Sequence, residues 1–519
     1  MSEQLHPDIY VKEAEQSVFP IEATGTTGTC YLGFFKRGPI NVATLVTNSA
    51  MFERIFGGAF ADSFGNYVVN GDFFNRGKGR IYIIRLAHYT DVTDVTTLTA
   101  VTATLTIDAL IKFDALDEGA WGNDFNIAIT AGSPVLTHYN VVITKTSSAS
   151  YSVTYPNVSN DPDDPRYILK MINGKDYNIS CTHLVPATKT VCTPAVAAPL
   201  ATGAYVVADI VAADVVGSDV SKIGMYAMSG KIDAYLIQLI ACAESGNFIE
   251  ASHVTIEQGM IDYALNKFPK VFQVGCLPVA FDTVLTDVDV YINTTLAKTS
   301  KESAIFYPWL KVLDSIAADP SDPYIVVPPV GHVLGCFART DTVEGVWIAP
   351  AGTENGQMRG VVEPNVYVDD DMNDILSPLR VNSIRYQGGT LCIWGSKTLS
   401  TDPRWIEIPG RRFFNMIETG LVQQKFLVFK PIRPDTFASI QDSVKVYYKG
   451  FWKQGAMGGD GIDPKKSYYA KCDTDNNTIV EETARKIVCE SGVRQLHFAE
   501  IIEFTVSQYD GGEYEVIEL

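Results

Sequence analysis

No run of about 18 apolar residues occurs in the 519-residue chain, which argues against a membrane-spanning helix. No CxxC pair occurs among its nine cysteines, so neither a zinc ribbon nor a disulfide framework is indicated. Their odd number and wide spacing suit ordinary buried thiols in a reducing compartment. Positive charge is scarce: 41 Lys and Arg against 60 Asp and Glu leave a net charge of −19, which repels phosphate backbones and anionic lipid. Neither nucleic acid binding nor membrane insertion is expected. The opening residues, MSEQLHPDIYVKEAEQS, have no basic start and no apolar stretch, so no secretory signal is expected. These absences describe a soluble protein, made and kept in cytoplasm.

Catalytic motifs are also missing. The seven histidines are dispersed without an HExxH pair, and there is no Gly-x-Ser-x-Gly elbow. His332, Ser303 and an Asp could form a triad only if folding brought them together, and nothing in the spacing does so. Asp473-x-Asp475-x-Asn477 begins like a calcium loop. Thr478 then stands where Gly is needed and Ala484 where a bidentate Glu is needed, so a turn is the better reading. Asp369-Asp370-Asp371 with Asp374 reads as a solvated loop that opens a helix. Gly389–Gly395 before Ser396-Lys397-Thr398 has glycines spaced one too far for a phosphate loop, and the Lys does not follow Gly. The chain is read as not an enzyme, with no catalytic, cofactor or metal site.

What is present is core-forming: 46% of the residues are hydrophobic and only 19% charged, enough for several domains. Residues 1–22 suit an extended N-terminal arm, and 23–91 read as α/β. Within them Cys30–Phe35 is a buried strand, Ser49 can cap a helix carrying Met51, Phe52, Ile55 and Phe56, and Gly57-Gly58 ends it. A second helix carrying Tyr67, Phe73 and Phe74 leads to a strand at 80–86. Over 92–218 the pattern changes to alternation: Val101, Ala103, Leu105 and Ile107, then Phe125, Ile127 and Ile129, then Tyr151, Val153 and Tyr155. Turn clusters such as 160–165 separate them, so an inserted β-rich domain, a sandwich, is expected. Residues 219–400 return to a βαβ rhythm and imply a parallel sheet, with a strand at Ala234–Cys242, a helix through Met260, Ile261, Ala264, Leu265 and Phe268, and a strand at Val271–Leu277. Residues 401–503 read as α+β. A helix at 435–454 there carries Phe437, Ile440, Val444, Tyr447, Tyr448 and Phe451 on one face and stops at Gly455. Residues 504–519 suit a C-terminal arm.

Whole phrases of the chain resemble contractile tail sheath proteins. They begin with Tyr31-Leu32-Gly33-Phe34-Phe35-Lys36-Arg37-Gly38-Pro39, Phe52-Glu53-Arg54-Ile55-Phe56-Gly57-Gly58 and Gly79–Arg85. Trp121-Gly122-Asn123 resembles the tripeptide at the entry to the family's β insertion. Pro328–Val333, Ala338-Arg339-Thr340-Asp341, Gly345–Gly352, Asn382–Arg385, Ile393–Leu399 and Asp402–Trp405 follow in the family's order. So do Arg411-Arg412, Trp452, Cys472-Asp473 and Ala499-Glu500. Ile408-Pro409-Gly410 before the arginine pair departs from the pattern and puts a strand ending there in doubt.

The resemblance implies an α/β middle domain that is subtilisin-like in fold but non-catalytic, an inserted β-sandwich, an α+β inner domain and extended arms. It implies a structural subunit that stacks as six-fold rings around an inner tube and contracts to drive it through a target envelope, in a phage tail or a related injection device. The implied partners are further copies of itself, a tail tube protein, and baseplate and terminator proteins. The implied location is a virion tail assembled in host cytoplasm. Lys445, Lys449 and Lys453, at i, i+4 and i+8 opposite the apolar helix face, read either as a solvated stripe or as a contact for an acidic tube. Ile9, Val11, Phe504, Val506, Val516 and Ile517 have strand character, and the family's arms exchange strands between subunits. A local hairpin turning at Asp510-Gly511-Gly512 is the alternative.

Overall fold

The computed structural model describes residues 28–500 except 70–79, 133–136, 232–236, 268–269, 283–284, 286, 318, 426–427 and 460. Both expected arms, and the Phe73 and Phe74 part of the second expected helix, lie outside the described residues.

The described residues open with β1 (Thr29–Gly33), buried at every position, then β2 (Thr44–Val46), α1 (Ser49–Phe56) and β3 (Ile81–Arg85). Helix α1 is capped by Asn48 rather than Ser49. Extended backbone at Asn48 lets its Oδ1 accept from Met51 N at 2.8 Å, which leaves Ser49 as the first helical residue. Gly57 closes the helix at φ 89°, a left-handed conformation that suits glycine.

Between β3 and the next strand of the same sheet lie β4 (Thr104–Ile107), β5 (Ile111–Ala115), β6 (Phe125–Ala131), β7 (Tyr139–Lys145), β8 (Ser152–Val158), β9 (Ile179–His183) and β10 (Ala195–Pro199). They form two antiparallel sheets, ordered β4-β5-β9 and β10-β6-β7-β8. Both contribute to one core, through Phe113 and Ile179 from the first and Ile127, Ile129, Val141 and Ile143 from the second. The expected alternation holds in β6, where Phe125, Ile127 and Ile129 are buried. It is weaker at the edges, where Val101 is exposed and Val153 and Tyr155 are half-buried.

Beyond the insertion come β11 (Leu239–Ala241), α2 (Glu250–Asn266), β12 (Phe272–Cys276) and β13 (Ser303–Tyr307). They are followed by the small antiparallel strands β14 (Leu310–Leu313), β15 (Tyr324–Val327) and β16 (Glu363–Pro364). Helices α3 (Val330–Val343) and α4 (Asp370–Leu376) and the hairpin β17 (Val381–Gln387) to β18 (Thr390–Ile393) complete this part. At its C-terminal end strand β11 stops short of the expected Cys242, which leads into a turn at Ala243–Asn247; positions 234–236 of that expected strand lie outside the described residues.

The main sheet has eight strands in the order β18-β17-β13-β12-β11-β1-β3-β2. Its inner pairs are parallel, and only the edge strands β2 and β18 run antiparallel. The two α/β stretches thus build one sheet, joined where β1 pairs with β11. Successive side chains enter opposite cores. Tyr31, Ile83, Val274 and Phe306 pack with Phe52 of α1 and Val333 and Phe337 of α3, whereas Leu32, Ile84 and Ile240 pack with Ile256 and Met260 of α2. Burial on both faces is why these strands read as continuous apolar runs.

The C-terminal part contains α5 (Ile408–Val422), α6 (Pro434–Lys453) and the antiparallel pair β19 (Tyr468–Lys471) and β20 (Glu490–Val493). Ile408-Pro409-Gly410 belongs to no strand: it opens α5, with Pro409 in the first turn, where a missing N–H costs nothing.

Candidate functional site

Every apolar residue expected on the 435–454 face is buried: Phe437, Ile440, Val444, Tyr447, Tyr448 and Phe451 of α6. Phe451 meets Phe413 of α5 edge-on at 5.5 Å between ring centres, and Trp347 packs against both at 5.9 and 6.1 Å. Gly455 follows at φ 75° and ends the helix. Lys445, Lys449 and Lys453 all lie on the exposed face, and none makes an ion pair among the described residues. Asp442, Val446 and Gly450 share that face. The loop entering α6 presents Val428 and Phe429, the latter fully exposed.

Below this face, α5 is bound to the main sheet by buried charge. Arg412 and Asp341 of α3 form a bidentate pair, with Nη1 2.9 Å and Nη2 2.5 Å from the two carboxylate oxygens; their side chains are 3% and 1% exposed. Arg411 Nε lies 2.9 Å from Glu302 Oε1, an ion pair without hydrogen-bond alignment, and Asn415 Nδ2 donates to the other Glu302 oxygen at 2.6 Å. Burial pushes the Glu302 carboxyl up, and Arg411 opposes that shift. The sequence motifs ending in Asp341 and containing Arg411-Arg412 are therefore two halves of one joint.

The insertion is held differently. Arg85, fully buried, donates from Nε to Phe35 O and from Nη1 to Gly38 O and Glu118 O, each at 2.9 Å. Its guanidinium lies 4.2 Å from the Tyr205 ring centre. In Trp121-Gly122-Asn123 each residue has a separate task. Trp121 Nε1 donates to Glu118 O at 3.2 Å. A Cβ on Gly122 would meet the Ala115 and Ala103 methyls at 2.6 and 2.7 Å. Asn123 exchanges two 2.9 Å hydrogen bonds with the Gly203 backbone, tying the entry of the insertion to its exit.

The residues weighed for catalysis or metal binding do not assemble. Ser303 shares a 3.1 Å hydroxyl contact with Ser300 at the start of β13, whereas buried His332 sits in the first turn of α3. Asp369 caps α4 through Met372 N at 2.8 Å, and Asp370 pairs with Arg385 at 2.7 Å. Asp473 and Asn476 close a turn, and Asp475 pairs with Lys471 at 3.2 Å. Gly388 and Gly389, both at positive φ, make the β17–β18 turn. Among the described residues, no group of three or more His, Cys, Asp and Glu could hold a metal ion, and no helix is long and apolar enough to cross a membrane.

Two buried acids gave no sequence signal. Glu244 accepts from Ser63 Oγ at 2.7 Å, Phe64 N at 3.0 Å and Asn247 Nδ2 at 2.6 Å. Glu257 of α2 accepts from Gln273 Nε2 at 2.6 Å. Burial raises their carboxyls to about 7 and about 8. A cleft of about 620 Å³ between the insertion and the main sheet is lined by Lys36, Arg37, Trp121, Lys145 and Tyr151. Lys145 Nζ lies over the Phe125 and Tyr151 rings at 4.7 and 4.8 Å, and Arg37 donates to Asn178 Oδ1 at 2.6 Å. A second cleft, about 550 Å³, is lined by Trp394, Glu407, Phe498 and Glu500. Lys397 bridges it to Glu500 at 3.2 Å. Ile9, Val11, Phe504, Val506, Val516 and Ile517 lie outside the described residues.

This architecture is that of solved sheath proteins. The helical sheath of the anti-feeding prophage in its contracted state matches with a TM-score of 0.58 at 17% identity, over 97% of this chain and 99% of that one. The contracted sheath complex of the PVC extracellular contractile injection system matches at 0.56 and 15% identity, over 98% and 99%. The sheath tail protein from Listeria innocua matches at 0.58 and 10% identity, over 88% and 90%. By sequence, the tail sheath protein of Enterobacteria phage T4 is 30% identical over 155 residues, and that of Vibrio phage KVP40 is 25% identical over 154. Each stretch covers 29% of this chain and 22% of the relative, so the match spans under a quarter of the curated relatives' length. No protein-family model matches. The chain has the fold of contractile-system sheath proteins, and its curated sequence relatives are tail sheath proteins of phages.

Proposed function

We propose that the chain is a structural subunit of a contractile sheath. It stacks as six-fold rings around an inner tube and contracts to drive the tube through a cell envelope, as part of a phage tail or a related injection device. One observation carries the reading: near end-to-end agreement with sheath proteins, two of them in contracted assemblies. The main sheet serves as a subtilisin-like scaffold without catalysis, and the two antiparallel sheets serve as a sandwich insertion. The energy is stored at assembly, in an extended lattice less stable than the contracted one. Electron microscopy of the purified protein tests this: hollow striated cylinders support it, and soluble monomers with hydrolytic turnover abolished by His332→Ala refute it.

The Lys445, Lys449 and Lys453 face of α6 meets an acidic tube, and strands of the arms at 1–22 and 504–519 pass between subunits. Baseplate and terminator proteins hold the ends of the assembly, which matures in host cytoplasm into a virion tail. Exchanging all three lysines for Glu leaves the subunit folded, at a cost of about 0.5 kcal/mol or less per exposed position. Sheath formation on tubes is lost while tube-free polymer persists. Equal assembly on tubes by variant and wild type overturns the contact.

A further inference from the structure

Two of the nine widely spaced cysteines meet in the C-terminal part. Cys472 directly follows β19 and Cys489 directly precedes β20. The ladder pairs Lys471 with Glu490, so one further step of the same antiparallel register sets Cys472 opposite Cys489. Opposed residues in such a pair have Cα atoms about 4.5–5.5 Å apart, inside the roughly 4.4–6.8 Å span of disulfides. Both side chains join a small apolar cluster with Phe437 and Ile440 of α6. Cys472 is buried and Cys489 is half-buried, so Cys489 is the more exposed residue of the two. The interaction with Cys472 lowers the Cys489 thiol from its ordinary value.

We propose that Cys472 and Cys489 are a redox pair that closes to a disulfide on meeting a low-molecular-weight disulfide such as glutathione disulfide. The Cys489 thiolate attacks one sulfur of the reagent, forms a mixed disulfide and expels a glutathione thiolate. Cys472, losing its proton, attacks the Cys489 sulfur and expels the second glutathione. Two protein thiols are oxidised, one glutathione disulfide is reduced to two glutathiones, and the two thiol protons end on the leaving thiolates. Closure staples β19 to β20 beneath α6, to which β19 is already tied by the Gln441 Nε2 bond to Ala470 O at 3.0 Å. The inference rests on the hairpin geometry and is independent of the proposed function.

The test is peptide mapping of the full chain after incubation in excess oxidised glutathione, with free thiols alkylated before digestion. The expected result is a linked Cys472–Cys489 peptide, loss of both alkylation sites together, and their return on dithiothreitol treatment. Cys472→Ser should stop at a stable glutathione adduct on Cys489, and Cys489→Ser should leave Cys472 unmodified. Full alkylation of both cysteines in the wild type, a persistent adduct without the link, or links to other cysteines at equal yield would each overturn the proposal. If either variant fails to fold, the wild-type map decides alone.

Discussion

The two joints of the molecule use buried arginine in opposite ways. At the C-terminal joint, Arg411 and Arg412 face the carboxylates of Glu302 and Asp341. At the insertion joint, Arg85 faces backbone carbonyls and the Tyr205 ring, with no carboxylate within ion-pair distance among the described residues; burial lowers its pKa. An ion pair reads a partner's side chain, so both halves must be kept. A carbonyl cage reads only the path of the backbone. The cage can therefore hold an insertion whose own sequence is free to vary.

Arg412→Ala should show the largest effect, lowering stability by about 3–5 kcal/mol, because Asp341 is left buried and uncompensated. Denaturant unfolding followed by the tryptophans checks this. Replacing both partners by apolar residues should restore most of the loss, and a double variant as unstable as the single would break the distinction drawn here. Arg85→Met should cost about 3 kcal/mol by stranding carbonyls. Hydrogen exchange should then rise at 35–38 and 118–124 while α5 stays protected; exchange spreading into α5 would mean the joints are not separate.

Glu257 is the mirror case, a buried acid held by hydrogen bonds from Gln273 and Ser245. Its carboxyl sits at about 8 in the folded chain against an ordinary 4.5, so the unfolded chain gives up this proton first. The stability it contributes is complete below about pH 4.5, falls as pH rises, and is flat above pH 8. Glu257→Gln should remove that slope, a change on the order of 2 kcal/mol between pH 5 and 7. Thermal melts across that range read it, and an unchanged slope would sink the assignment. Asn123→Ala should be mildest, about 1–2 kcal/mol for two lost bonds, visible as faster exchange at the Gly203 amide.

Local patterns were legible where one short segment carries its own reason. Strand β1, the 3.6-residue stripe of α6, the Gly57 and Gly455 stops and the alternation in β6 follow from propensity and periodicity within a few residues. Asn48 displaced Ser49 as cap because capping turns on backbone angle, which composition does not encode. Ile408 opened a helix because Pro409 could occupy a first turn once α5 had a surface to lie on. Phrases such as Trp121-Gly122-Asn123 marked importance without stating the task, since Gly203 lies far along the chain.

Sequence alone determined the alternating classes of segment, the acidic surface charge and which helix face is buried, because these depend on neighbours in the chain. Tertiary structure alone decided that residues 29–85 and 239–393 share one sheet, that Arg412 meets Asp341, that Glu257 lies beyond water, and that Cys472 faces Cys489. Those pairings join residues whose separation in sequence carries no periodic signal. They form because burial leaves each of these groups few partners other than the ones the assembled strands and helices bring to it.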